Sequence, residues 1–127
     1  LDIDHFKAIN DDHGHPAADE VLKQMTRLVM RRLRESDLLA RWGGEEFLVV
    51  LAHTSAEGAT EVAEAMRRLI EQAVFVDRIG ITISLGIAGY APGDTPATLV
   101  QRADEALYAA KEAGRKCVRG TGGTPEG

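Results

Sequence analysis

The chain has 127 residues, 44% of them hydrophobic and 28% charged, enough for one domain around one sizeable core and ordinary for a soluble globular protein. A net charge of −5 argues against a nonspecific nucleic-acid binder, which needs a basic surface, but not against a nucleotide held by a local cluster of cations. Cys117 is the only cysteine, so an internal disulfide is excluded; no apolar run approaches a membrane span and no signal peptide is visible.

The chain opens on Leu1-Asp2-Ile3-Asp4, which reads as the end of a strand without turn, cap or initiator Met, hence as a piece of a longer protein. Asn10 to Gly14 reads as a polar loop of turn formers. Pro16 suits the first turn of a helix running to about Arg34, with the apolar stripe Val21, Leu22, Met25, Leu28, Val29, Leu33. Leu38–Trp42 and Phe47–Leu51 flank Gly43-Gly44-Glu45-Glu46 in the pattern of a β-hairpin.

Thr54 and Glu57 have the spacing of a capping box for a helix carrying Val62, Ala63, Met66, Leu69, Ile70 and Ala73. A β-branched stretch, 79–90, follows, with Phe75-Val76 as a partner strand turning through Asp77-Arg78. Thr95 caps a last long helix with Pro96 at its first position and Gly114 as its stop. Residues 117–119 read as a final edge strand, and 120–127 as a disordered tail. There are no internal repeats. The order β-α-β-β-α-β-(β)-α-β predicts one α/β (α+β) domain with a mixed, mainly antiparallel central sheet flanked by helices.

The chemistry concentrates at the hairpin. Glycine leaves the main chain open to a ligand, and adjacent carboxylates on a strand point to opposite sides. Asp2 and Asp4, two apart on the opening strand, share a face, so a second acidic strand end beside the hairpin predicts a hard-oxygen site for Mg²⁺ or Mn²⁺. Taken singly, each feature also has a bland reading as a solvated turn or strand end.

The features are not single. The runs Asp2-Ile3-Asp4-His5-Phe6-Lys7, Asn10-Asp11, Gly14-His15, Asp19, Arg41-Trp42-Gly43-Gly44-Glu45-Glu46-Phe47, Thr82 to Ala88, and Arg102 to Arg115 follow one another through most of the chain. In order and spacing the sequence resembles a GGDEF domain, the catalytic domain of diguanylate cyclases, in its Gly-Gly-Glu-Glu-Phe variant. The resemblance implies a palm-like core, as in adenylate cyclases and polymerases, spanning residues 1–119. It also implies that the family's helix before the opening strand, and most of that strand, lie outside this chain.

The reaction implied is condensation of two GTP into cyclic di-GMP with release of two pyrophosphates. Each 3′-hydroxyl attacks the other nucleotide's α-phosphate, between two domains that hold one GTP each; the implied assembly is a homodimer. By the same resemblance Asp2, the Ile3 carbonyl and Glu45 bind the divalent ions, and Glu46 helps activate the 3′-hydroxyl or place the metal. Asn10 and Asp19 match the guanine-recognising pair. Phosphate contacts map to Lys111, Arg115 and the backbone N–H groups near His5 and Phe6, with Lys7 a weaker candidate. His13 and His15 look like a metal pair, but hard Mg²⁺ prefers oxygen.

Arg34-Glu35-Ser36-Asp37 matches the family's inhibitory product site, an Arg-x-x-Asp separated from Gly43 by five residues. Arginine can fork onto guanine O6 and N7 or onto phosphate. The second arginine that often helps aligns with Ala65, leaving Arg67 or Arg68 as substitutes. The implied setting is cytoplasmic, under a preceding sensor or dimerising domain in a parent protein that could itself be membrane-anchored; this domain needs neither nucleic acid nor membrane contact. The rivals are a catalytically silent module that binds GTP or cyclic di-GMP to regulate a partner, an enzyme making a mixed GMP–AMP cyclic dinucleotide, and a purely structural interaction domain.

Overall fold

The structure, a computed structural model, describes residues 1–120. Its elements are β1 (Asp2–Ile3), α1 (Phe6–His13), α2 (His15–Met30), β2 (Leu38–Gly43), β3 (Glu46–Val50), α3 (Ala56–Gln72), a 3₁₀ turn (Val76–Arg78), β4 (Ile83–Ile87), α4 (Pro96–Glu112) and β5 (Val118–Gly120). The five strands form one sheet in the order β2-β3-β1-β4-β5, antiparallel throughout except for the β4–β5 pair. This is the predicted mixed, mainly antiparallel sheet. Gly120 closes β5 rather than opening a tail; the remainder of the expected tail, 121–127, lies outside the described residues.

Strand alternation divides the sheet into two unlike faces. Ile3, Phe47, Ile83 and Leu85 point to one, where they pack with Val21, Met25 and Val29 of α2 and Ala63, Met66 and Ile70 of α3. Asp2, Ser84 and Gly86 point to the other, which α4 covers over β4 and β5 through Ala106, Leu107 and Ala110. Gly86 permits that contact: a Cβ there would stand 2.2 Å from the Leu107 nitrogen and 2.3 Å from the Ala103 oxygen.

Several expectations are corrected. The Asn10–Gly14 loop is the end of a helix. Asn and Asp are weak helix formers, yet burial of Ile9 and packing of Phe6 on the core hold α1 together, and Gly14 (φ 86°) ends it with its N–H on the Asn10 carbonyl. Helix α2 stops at Met30, not Arg34, because the chain tightens into i→i+3 turns, Arg32 N–H to Val29 O and Leu33 N–H to Met30 O. The cap of α3 is Ser55, whose hydroxyl accepts from Gly58 N–H at 3.0 Å; Thr54 is engaged elsewhere.

Phe75-Val76 forms no strand. Its chain turns tightly at Asp77 (φ 56°) and Arg78 (φ 61°), and the buried Phe75 keeps one link across that turn, its N–H on the Ile79 carbonyl at 3.1 Å. Strand β4 is shorter than the β-branched stretch that contains it. Thr95 caps α4 as predicted, in a reciprocal box with Thr98, and Asp94 braces the same turn by accepting from Ala91 N–H at 2.8 Å and pairing with Arg102. No helix of the described residues is long and apolar enough to cross a membrane.

Candidate active site

Strand β1 sits in the middle of the sheet, and Asp2 faces partners on both sides. Glu46 stands directly across from it on β3 and Ser84 on β4. Directly paired residues share a face, so the Glu46 carboxylate is projected to the Asp2 side of the sheet. Glu45 lies in the turn between β2 and β3, half-buried, and Arg41 Nε holds that turn by donating to the Gly44 carbonyl at 2.8 Å. Gly44 takes φ 43°, which the glycine accepts without strain.

The Asp2 side chain is only 7% exposed. One oxygen pairs with the Lys111 ammonium from the last turn of α4; the other, Oδ1, is buried without a hydrogen-bond partner. Asn10 Oδ1, on α1, is also buried and unpartnered. Native interiors rarely leave such atoms unmet, and each is expensive when they do. Among the described residues these two oxygens are the unpartnered buried side-chain atoms, and both belong to residues that the sequence assigns to ligand binding.

Among the described residues no three His, Cys, Asp or Glu side chains form a metal-holding group. A hard cation held by one or two carboxylates, with phosphate and water oxygens for the rest, needs no such group, and the orphaned Asp2 oxygen is the chemistry it satisfies. The expected second acid, Asp4, is not open to metal. Its Oδ1 accepts from Ser84 Oγ at 2.6 Å; its Oδ2 accepts from Thr82 Oγ1 at 2.7 Å and Lys116 N–H at 3.1 Å. Lys111, predicted at phosphate, pairs here with Asp2, as a buried carboxylate needs a cation beside it.

The remaining candidates lie on neighbouring elements. His5 adopts φ 57° before α1, and Phe6 begins the helix, whose first N–H groups have no intrahelical acceptor and suit an anion. Asn10 lies on α1 and Asp19, exposed, on α2, two helices that pack together. Arg115 follows Gly114 at φ 66°, and Lys7, His13 and His15 are exposed. A cleft of about 560 Å³ between α1 and the 78–82 segment is lined by Asp4 and His5, but by neither Asp2 nor Asn10 nor the hairpin acids.

Arg34 and Asp37 are brought together. Arg34 Nε and Nη2 reach the Asp37 carboxylate at 3.3 and 3.2 Å, while Nη2 also donates to the Ala52 carbonyl at 2.5 Å and Thr54 Oγ1 at 2.7 Å. Asp37 in turn accepts from Arg34 and Ala52 N–H, tying the segment between α2 and β2 to the segment after β3. The Arg34 hydrogen bonds hold the Asp37 carboxyl down at about 2. A depressed folded value stabilises above the ordinary carboxylate range near 3.8 and is lost as pH falls through about 2. Acid unfolding between pH 4 and pH 2 should therefore weaken in its pH dependence in Arg34→Ala; an unchanged dependence in that window removes this fork from the acid response. Of the substitutes for Ala65, Arg67 is committed to Glu64 at 2.5 Å and Glu71 at 3.0 Å, which leaves exposed Arg68.

The sequence pattern of the family described as "Diguanylate cyclase, GGDEF domain" matches residues 1–117. The chain belongs to the GGDEF family. It is 46% identical over 118 residues to diguanylate cyclase DgcP of Pseudomonas aeruginosa, covering 91% of this chain and 18% of that protein. It is 43% identical over 122 residues to diguanylate cyclase A of Treponema denticola, covering 93% and 33%. This GGDEF chain thus spans less than two thirds of these curated relatives. Among solved structures it is similar to the active GGEEF domain of a diguanylate cyclase from Vibrio cholerae, with TM-score 0.89 and 36% identity over 94% of this chain and 78% of that one. The GGDEF domain of DgcB from Caulobacter crescentus in complex with c-di-GMP is equally close in shape, TM-score 0.89, at 34% identity, covering 94% and 73%.

Two features of this GGDEF domain escaped the sequence reading. Thr82, Ser84 and Lys116 converge on Asp4 across 78, 80 and 112 residues of chain, and no local pattern announces that. Lys116 also pairs with Glu71 at 2.6 Å, holding the Glu71 carboxyl below its usual range. Only the Thr82-Ile83-Ser84 run, with two hydroxyls on one strand face, hinted at a buried polar partner.

Proposed function

We propose that this domain is the catalytic part of a diguanylate cyclase that condenses two GTP into cyclic di-GMP and two pyrophosphates, with one GTP on each of two facing copies. The observation that carries the reading is the orphaned buried oxygen of Asp2, Oδ1, on the central strand beside the hairpin acids, in a chain of this family. Asp2, Glu45 and the Ile3 carbonyl would hold Mg²⁺ or Mn²⁺. That ion, when bound, neutralises phosphate charge and lowers the pKa of the attacking hydroxyl.

The chain's own residues do the rest. Asn10 and Asp19 bind the guanine edge; a carboxylate accepts from the ring N–H and amino group, and the amide meets the acceptors. The N–H groups at the start of α1, with Lys111 and Arg115, hold the phosphates. Lys111 keeps Asp2 neutralised until substrate arrives, then serves phosphate oxygen. Glu46, on the Asp2 face, accepts the 3′-hydroxyl proton or orients the ion. Because each domain supplies half of the reaction centre, turnover per domain rises with local concentration, and a preceding sensor or dimerising domain sets that concentration.

The test is incubation of the full chain, or of an enforced dimer, with GTP and Mg²⁺ or Mn²⁺ and identification of the product by mass. Cyclic di-GMP is expected. A folded dimer that makes no cyclic dinucleotide at any concentration overturns the reading and leaves a GTP- or cyclic di-GMP-binding module; a mixed dinucleotide from GTP and ATP overturns the substrate assignment. Conversion that survives Glu45→Ala removes Glu45 from the metal.

Product inhibition through Arg34 and Asp37 belongs to the same proposal, supported by their fork on the surface beside the hairpin strands. Arg34→Ala is expected to raise the cyclic di-GMP concentration for half-inhibition about tenfold or more, the size of one lost charged contact. An unchanged inhibition curve rules the site out. With Arg67 occupied by its glutamates, Arg68 is the remaining arginine of α3 to reinforce it.

A further inference from the structure

Resting on the phosphate role given above to Arg115, we infer that Asp4 is a positioning residue for that arginine, not a metal ligand. Three consecutive residues after α4 take positive φ: Gly114 at 110°, Arg115 at 66° and Lys116 at 50°. Glycine does so freely; two successive non-glycine residues do so only when their surroundings over-determine it. Here two contacts determine it: Arg115 N–H closes α4 on the Ala110 carbonyl at 3.0 Å, and the next N–H, of Lys116, is held by the Asp4 carboxylate, in a residue 6% exposed.

Lys116 N–H donates to Asp4 Oδ2 and to Ser84 Oγ, each at 3.1 Å, and Ser84 Oγ, fully buried, donates on to Asp4 Oδ1 at 2.6 Å. Asp4 N–H itself donates to the Thr82 carbonyl at 3.0 Å. One carboxylate therefore fixes the relation of β1, β4 and the turn after α4. Asp2, on the metal wall, is two residues before Asp4; Arg115, on the phosphate wall, is one residue before Lys116. The Asp4 node sets the spacing between the two walls. The Lys116 ammonium, anchored to Glu71, points the same turn toward α3 and leaves Arg115 as the cation of the turn with no ion-pair partner among the described residues.

An amide in place of the carboxylate offers one acceptor oxygen where two were used, and its NH₂ opposes donors. Asp4→Asn is therefore expected to raise the KM for GTP about tenfold with a smaller change in kcat, the size of one lost charge-assisted hydrogen bond. The deciding readout is a double-mutant cycle in the full chain. If Asp4 acts through Arg115, Asp4→Asn adds little to Arg115→Ala; if its role is only structural, the two losses multiply. Ser84→Ala, which keeps the carboxylate and removes the bridging hydroxyl, is expected to repeat the pattern at smaller size, and it carries the test should Asp4→Asn unfold.

Multiplying losses in both cycles overturn the inference, as does an unchanged KM in both variants with folding intact. Failure of the underlying reading looks different: the unsubstituted protein itself then makes no cyclic dinucleotide. In that event binding of a non-hydrolysable GTP analogue by the proteins of the two cycles replaces KM, and equal affinity across them overturns the inference.

Discussion

Asp2→Asn is expected to reduce cyclic di-GMP synthesis by roughly a hundredfold or more while leaving the domain folded. The change keeps the shape of the side chain and removes its charge. In the native site the charge is enclosed at 7% exposure, with Lys111 on one oxygen and, among the described residues, no hydrogen-bond partner on the other. An amide oxygen is a poorer ligand for a hard cation, and it no longer holds Lys111. The fold tolerates this because Lys111 is 31% exposed and can turn to water. Initial rates with saturating GTP and Mn²⁺, beside thermal melts, separate the two consequences. Activity within tenfold of the parent would remove Asp2 from the reaction centre.

The largest loss of stability is expected at Gly86. Alanine there places a Cβ 2.2, 2.3 and 2.8 Å from backbone atoms of Leu107, Ala103 and Ala106. No side-chain rotation relieves a clash with main chain, so α4 must lift away from β4. Overpacking of this kind is worth about 3 kcal/mol or more, a fall in melting temperature on the order of 10 °C for a domain of this size. Function should fall with it, because α4 carries Lys111 and leads into Arg115. A melting temperature within about 2 °C of the parent would show that α4 and the sheet are not held at this contact. Gly80, whose added Cβ meets nothing within 4 Å, is the control position.

Much of the architecture was legible in the periodicities. The stripes of α2 and α3, the hairpin about Gly43-Gly44, and the Thr95-Pro96 start of α4 all stand where apolar spacing and cap chemistry put them. Two of the misreadings share one cause. At Asn10–His13 and at Phe75–Arg78 local preference pointed one way and burial the other, and the buried side chains, Ile9 and Phe75, decided the backbone. Thr54 lost the cap of α3 to Ser55 for a related reason: its hydroxyl meets Arg34, a partner 20 residues away that no window of sequence contains.

The candidate site divides in the same way. The acidic hairpin, the family and the identities of Asp2, Asn10, Asp19, Lys111 and Arg115 could be read from residue types in order along the chain. Their relations could not. That Glu46 rather than Glu45 stands opposite Asp2 is fixed by strand register, that Lys111 neutralises Asp2 by the docking of α4, and that Asp4 is spent on Ser84, Thr82 and Lys116 by the meeting of three distant segments. The sequence by itself determined the chemical inventory and the element order, because both follow from residue type and local spacing. Only the tertiary structure decided which acid is left with an open oxygen, because that depends on which donors the fold brings within hydrogen-bond reach.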